Sequence, residues 1–519
     1  MIGNFKEMIV VLAIAATVFR FAKPIALRFS AEPDFSRRRN IWFALTVTAF
    51  LSPNFWLFVL FAIPLLTWAG RKDSNPVALY MMLLHVVPPV AVAIPIVGIN
   101  ELFDLDNYRL LSFCILIPTA WRLRQSKDAV RIRGLQTMDI FLLAYGAIQI
   151  ALFVPPDLPN HVILHDSPTD VLRRIFLFFV DVYALYFAVS RSCSSRRAIV
   201  DTLGSFCVIS VVMALMAVFE SVRHWLLYAA LATHWNPADV MASFSYLFRG
   251  DTLRAQASAG HALALGYLLA IAFGFWLYLQ SHVNSKRWRI AVALALWLGL
   301  LAAYSRGPWI GAVAIYFAFA ALGRRAFSRL FRAAGVAVLL AGVISLSPLS
   351  ERIVNVLPFM GGSVDSENFI YRQRLADRTW ELIKEHPFFG DQLAYLKMED
   401  LRQGQGIIDV VNTYADAALF SGLIGLSLFL GFILIGLFKV YRQAKEIMPL
   451  NPDFGLLGIS LVSCILGTLL MIENVSFMLG YQKLFYVLAG LAAAYVRYGR
   501  SSARQIEVNA SYGIPPEPK

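Results

Sequence analysis

Apolar runs of roughly twenty residues, the length of a membrane-crossing helix, recur along the whole chain and are separated by short polar stretches. Basic stretches fall at Arg20–Arg39, Arg71–Lys72, Arg122–Arg133, Arg191–Arg197, Lys286–Arg289, Arg324–Arg332, Lys439–Lys445 and Arg497–Arg504. Two crossings fit between each successive pair: 41–51 with 54–69, 78–98 with 109–121, 138–154 with 172–190, and 199–219 with 261–280. Then come 288–304 with 308–322, 330–347 with 416–438, and 454–471 with 478–496. Ser52-Pro53-Asn54 could kink one long span, but a single crossing there would strand one basic flank on the wrong side, so two short ones are expected. Met8–Phe19 has no small-residue cleavage site after it and reads as a retained helix. The pattern therefore predicts an all-α integral membrane protein, a polytopic helical bundle of about 14 crossings within a range of about 12–15.

Basic loops on the cytoplasmic side leave one large loop, 348–413, on the opposite face, long enough for short helices of its own. Another outward stretch, Val222–His234, reads as an interfacial amphipathic helix anchored by Trp225 and Trp235. The expected organisation is N-terminal transmembrane helices over 1–220, a central region over 221–440 that includes the large loop, and C-terminal transmembrane helices over 441–500. The polar, proline-rich 501–519 is expected to be a disordered cytoplasmic tail.

Composition agrees with this picture. Hydrophobic residues make up 58% of 519 and charged residues 15%, too little charge for a soluble globular domain of this length. The formal net charge of +13 sits mainly in short loops, where it sets orientation and meets anionic membrane lipids; nucleic acid is not an expected partner. Cys114, Cys193, Cys207 and Cys464 lie in or beside apolar segments without metal or disulfide spacing, and read as packing residues. There is no phosphate-binding glycine loop and no dinucleotide fingerprint. Asp104-Leu105-Asp106 is a weak metal signal that chance supplies easily, so neither a metal nor another cofactor is expected.

What changes the picture is a set of arginines on the wrong side. Arg249, Arg254, Arg306, Arg352, Arg372, Arg374 and Arg378 all map to the outer face, against the positive-inside bias. An anionic substrate handled there would account for them. Three segments carry the chemistry. Arg254 to Gly260-His261 leads into a helix whose free amide hydrogens suit phosphate. Ser305-Arg306-Gly307-Pro308-Trp309 makes a sharp re-entry that fixes Arg306 at the membrane boundary. The third runs from Asp409 through Asn412, Tyr414 and Asp416 to Gly422-Leu423-Ile424-Gly425. A guanidinium fork matches phosphate oxygens better than an ammonium does.

Plainer readings stand beside these. Arg254 and Arg306 can snorkel to lipid headgroups, and His261 and Asn412 can simply cap helices. Arg372, Arg374 and Arg378, with Asp377, Glu381 and Glu385, repeat at helical spacing and suit a solvated helix with internal ion pairs. Glu220, Glu473 and Asn474 can be buried polar members of a site or ordinary loop residues.

Arg254…Gly260-His261 opening a helix resembles the first arginine region of the O-antigen ligase and Wzy polymerase superfamily. Leu301-Ala302-Ala303-Tyr304-Ser305-Arg306-Gly307-Pro308-Trp309 is similar to its Ser-Arg-Gly turn, and Trp380 to Gly390 resembles its loop motif. Asn412-Thr413-Tyr414 followed by Gly422-Leu423-Ile424-Gly425 resembles its final segment. The four occur in order over roughly 250–440.

The resemblance implies a GT-C-like, metal-independent glycan transferase of a bacterial inner membrane, with 221–440 as its catalytic region and its active site facing the periplasm. Its donor would be an undecaprenyl-pyrophosphate-linked oligosaccharide, with Arg254 and Arg306 holding the pyrophosphate. His261 and Asn412 would be further catalytic candidates, and Ser305, Arg372, Arg374, Arg378 and Tyr414 would bind substrate. Partners would include membrane lipids and a chain-length regulator or export machinery. Ligases usually carry His before the Asn of the final motif, and here Val411 stands in that place. That departure favours a polysaccharide polymerase, acting on exopolysaccharide or O-antigen repeats, over a ligase acting on lipid A–core. A lipid-glycan or anion transporter with an arginine-lined vestibule is the rival from another class, although the paired broken helices common in transporters are not evident.

Overall fold

The structure, a computed structural model, describes residues 3–95, 102–125, 136–152, 168–236, 248–249, 252–323, 364–402, 408–477 and 479–511. The expected crossing at 330–347, most of the outward loop 155–170, Arg352 and the end of the tail lie outside the described residues, as does the side chain of Arg249.

The molecule is an all-α polytopic membrane protein. Among the described residues, six helices are long and apolar enough to cross a membrane: Phe5–Ala26, Phe55–Lys72, Arg196–Arg223, Ala262–His282, Thr413–Ile447 and Pro452–Ile472. Thr137–Leu152 and Arg306–Leu322 are shorter apolar helices. Polar caps set many of the starts. Asn54, Asn75, Asn412, Asn451 and Ser195 each accept a backbone N–H from the first turn that follows. Glu32–Leu51 and Phe55–Lys72 are separate helices on either side of Pro53, as the basic flanks require.

Two sequence expectations fail for local reasons. The crossing expected over 78–98 is a helix only at Pro76–Leu83. Pro88 and Pro89 follow and cannot continue it, and the chain then pairs Val92–Ala93 with Asp104–Leu105 in a two-stranded ribbon. Nor is Val222–His234 one interfacial helix. His224 adopts a left-handed conformation and ends Arg196–Arg223, and a separate helix forms only at Ala229–Trp235. Trp235 is not an interfacial anchor but is buried against Phe55 and Phe58, with ring centroids 5.4 and 5.1 Å away. At the other end of the chain, the helix Leu479–Ser511 runs into the segment expected to be disordered. Residues 501–511 carry no proline and offer Ala, Arg, Gln and Glu, which favour helix.

The core is built on Arg196–Arg223 and Ala262–Leu279, which are buried nearly all round. Small residues let helices close up where lipid supplies no hydrophobic drive. A Cβ on Gly266 would lie 2.7 Å from the Pro308 ring, and one on Gly299 2.5 Å from Ala214. Buried ion pairs hold both ends of the bundle. Arg38 bridges Asp73 and Asp201 at 2.6 and 2.8 Å, while Arg109 and Lys483 share Asp181. A second, smaller core packs under the large loop, with Leu375, Leu382, Met398, Val410 and Leu419 at its centre.

Candidate functional site

The Arg254 segment is held in place by Glu220. This carboxylate, fully buried near the end of Arg196–Arg223, accepts from the backbone N–H groups of Leu227, Gln256 and Ala257 at 2.9, 2.9 and 2.8 Å. Ser258 donates to the His85 carbonyl at 2.6 Å. Gly260 then turns the chain at φ +73, where a side chain would run into Pro89. Sequence left Glu220 undecided between site and loop; only the fold shows that its acceptors face three amides from two later segments.

His261 caps the helix that follows, its Nδ1 accepting from Leu263 N–H at 3.2 Å. The proton of the neutral ring is therefore on Nε2. Burial, reinforced by the positive charge of Arg254, pushes the imidazole down to about 4, with Asp409 pulling the other way. Residues from the first and third motif segments thus act on one ring.

The second segment joins the first directly. Ala255 N–H donates to the Ala302 carbonyl at 3.0 Å, tying the residue after Arg254 to the last turn before Tyr304-Ser305-Arg306. Tyr304 is left-handed at φ +50, and Ser305 is buried. Arg306 opens the helix Arg306–Leu322. Trp309 pins the re-entry by donating to the Leu300 carbonyl at 2.8 Å. Helix Ala262–Leu279 packs on this turn through Gly266 and Pro308, so both arginine segments hang from one helix pair.

In the third segment Asp409 accepts from Val411 N–H at 2.9 Å, and Val411 sits at φ +54, an uncommon conformation for a β-branched residue. Asn412 caps the next helix, accepting from Tyr414 and Ala415 at 2.9 and 3.0 Å. That helix, Thr413–Ile447, breaks at Gly422, whose φ of +62 releases the following amides. Leu423 N–H donates to the Pro387 carbonyl at 2.7 Å and Ile424 N–H to that of Phe388 at 3.3 Å. In return Asp391 N–H donates to the Leu419 carbonyl at 2.7 Å. The loop motif His386-Pro387-Phe388-Phe389-Gly390 is thereby docked onto the kink in the final motif.

The remaining predicted residues separate. Tyr414 donates to the Leu469 carbonyl at 2.7 Å, a bond into the neighbouring helix. Arg372, Arg374 and Arg378 lie on the loop helix Val364–Glu385. Arg378 pairs with Glu381 at 3.0 Å and faces the Lys397 carbonyl, as a solvated helix would arrange it. Arg374 is exposed, and Arg372 comes close enough to Tyr267 to act on its hydroxyl electrostatically. Tyr267 stacks on Tyr481 and lies near Gly307, so Arg372 leans toward the Arg306 turn. Glu473 and Asn474 are exposed loop residues. Asp106 caps a helix by accepting from Arg109 N–H at 2.8 Å, and the Arg109 guanidinium donates to the Asp104 carbonyl.

The family model described as O-Antigen ligase matches residues 290–430, a stretch that holds the Arg306 turn, the loop helix and the Asn412 cap. No curated protein sequence gives a significant match to the chain. Over that stretch the chain is similar to the O-antigen ligase family, which supports a membrane glycan-transfer function.

Proposed function

We propose that the protein is an inner-membrane polysaccharide polymerase that transfers an undecaprenyl-pyrophosphate-linked glycan to a lipid-linked repeat unit at the periplasmic face. The observation that carries this reading is the hydrogen bond from Ala255 to Ala302, which sets the two arginine segments side by side. As the acceptor hydroxyl attacks the anomeric carbon, the bond from that carbon to the phosphate oxygen breaks and its electron pair leaves with pyrophosphate. Arg254 and Arg306 supply charge where that negative charge grows, in surroundings too enclosed for water to screen it fully. Neutral His261, with Nδ1 engaged and Nε2 protonated, serves as a hydrogen-bond donor to the donor phosphates. His261, held near 4, is a poor base at neutral pH, so the acceptor proton passes to the departing pyrophosphate or to water.

Ligation to lipid A–core uses the same bond changes, and Val411 in place of the ligase histidine favours polymerisation. The test is a deletion strain complemented with wild type, Arg306→Lys or Arg306→Ala, with lipid-linked glycan and lipid A–core separated on one gel. Single repeat units should accumulate with both variants, because an ammonium loses the two-pronged phosphate contact. Long lipid-linked chains with bare core would make the protein a ligase. Normal length and attachment in the deletion itself, in a strain without a second copy, would sink both and favour transport.

A further inference from the structure

On the side of the bundle marked by the basic loops, the helices Gly3–Ala26 and Lys286–Ala302 both lean on Arg196–Arg223. They leave between them a half-open slot with a cavity volume of about 240 Å³. Its walls are apolar: Ala22 and Ile25 on one side, Ala291 and Ala295 on the other, with Val208 and Trp276 at the back. Phe21 and Trp288 approach across the mouth, ring centroids 5.6 Å apart, and both are substantially exposed.

The slot has a charged end. Arg28 stands in the turn that follows Ala26, beside the lining residue Phe29, and Arg287 lies one helical turn before Ala291 on the other wall. Arg28 is held there, its Nη1 donating to the His282 carbonyl at 2.6 Å and to Asn284 Oδ1 at 3.0 Å. Arg287 is exposed in the first turn of its helix, with Lys286 beside it. An apolar slot of acyl-chain width closed by guanidinium groups matches one kind of molecule. We propose that it holds an anionic phospholipid of the leaflet on the basic-loop side, acyl chains between the two helices and phosphate at Arg28 and Arg287. The free end of a polyprenyl tail would gain nothing from those charges, which is why a phospholipid fits better than the tail of a lipid-linked glycan.

Trp288 reports occupancy directly. Its emission, taken as the difference between wild type and Trp288→Phe in nanodiscs, should be quenched by brominated phosphatidylglycerol at about ten-fold lower mole fraction than by brominated phosphatidylcholine. Arg28→Gln combined with Arg287→Gln should abolish the difference while leaving phosphatidylcholine quenching in place, which also shows the variant to be folded. Equal quenching by the two lipids in wild type would overturn the proposal. So would relief of quenching by undecaprenyl phosphate that persists in the double variant, which would assign the slot to a polyprenyl tail.

Discussion

At the scale of single residues, Glu220 and His261 both shape the backbone around the arginine site. Glu220 accepts from the amides of Leu227, Gln256 and Ala257, so truncating it strands all three. Each costs about 1–3 kcal/mol. Glu220→Ala is therefore expected to lower stability by several kcal/mol, on the order of 3–5, and Glu220→Gln, which keeps one acceptor, by less. Because Glu220 acts on Arg254 only through the backbone, the Gln variant should lose turnover more than apparent donor affinity. An unchanged melting temperature in Glu220→Ala would refute this role. His261 gives a pH signature of known sign. Its folded value of about 4 lies below the ordinary 6.5, so between those values the unfolded chain binds the proton that the native chain resists. Stability is complete above about 6.5 and falls as pH drops toward 4. The shift corresponds to about 3 kcal/mol, and the partly exposed edge of the ring trims that to about 1–2 kcal/mol. His261→Asn keeps a cap but has no such titration, so the two proteins should melt alike above about 6.5 and wild type should fall below the variant as pH drops toward 4. Parallel curves across that range would show that the ring does not titrate as its surroundings demand.

Among the elements, the most consequential join is between the loop motif and the kinked helix Thr413–Ile447. Gly390 and Gly422 both sit at positive φ, and a Cβ on Gly422 would fall 2.1 Å from the Phe388 carbonyl oxygen. Neither backbone can move away without breaking the bonds from Leu423 and Ile424. Gly422→Ala is thus expected to undock the loop at a cost of about 2–4 kcal/mol, read as faster limited proteolysis between 386 and 402 with the bundle intact. Wild-type protease resistance would mean the kink tolerates a side chain. Sequence held part of this: Pro387, Gly390, Gly422 and Gly425 stood out, and Asn412 was readable as a cap. It did not show that Gly422 leaves the helix, because a glycine inside an apolar run can equally be a packing contact. The long apolar helices were legible because lipid demands their length and composition. The 78–98 error came from weighing hydrophobicity above the Pro88-Pro89 pair. Glu220 was opaque for another reason: its partners are backbone amides, which carry no side-chain signature.

For the whole molecule, the open question is which face carries the site, and the kinked helix frames it. From Gly422 to Ile447 the chain rises about 38 Å at helical pitch, enough to cross a hydrocarbon core of about 30 Å. Phe388, docked at Gly422, should then lie at one membrane face, and Leu450, in the turn beyond Ile447, at the other. The basic stretch Lys439–Lys445 near Leu450 assigns that end to the cytoplasm. Both positions are well exposed, at 63% and 76%, and neither belongs to the arginine site. Cys114, Cys193, Cys207 and Cys464 are all buried, so the native chain offers little background to a maleimide. In intact spheroplasts an impermeant maleimide should label Phe388→Cys, whereas Leu450→Cys should react only after lysis. Labelling of both before lysis would mean that Thr413–Ile447 does not cross. The reverse pattern would put Arg254 and Arg306 in the cytoplasm, where basic residues need no special explanation. The outward arginines would then be ordinary topology signals, and the case for a periplasmic pyrophosphate site would fall with them.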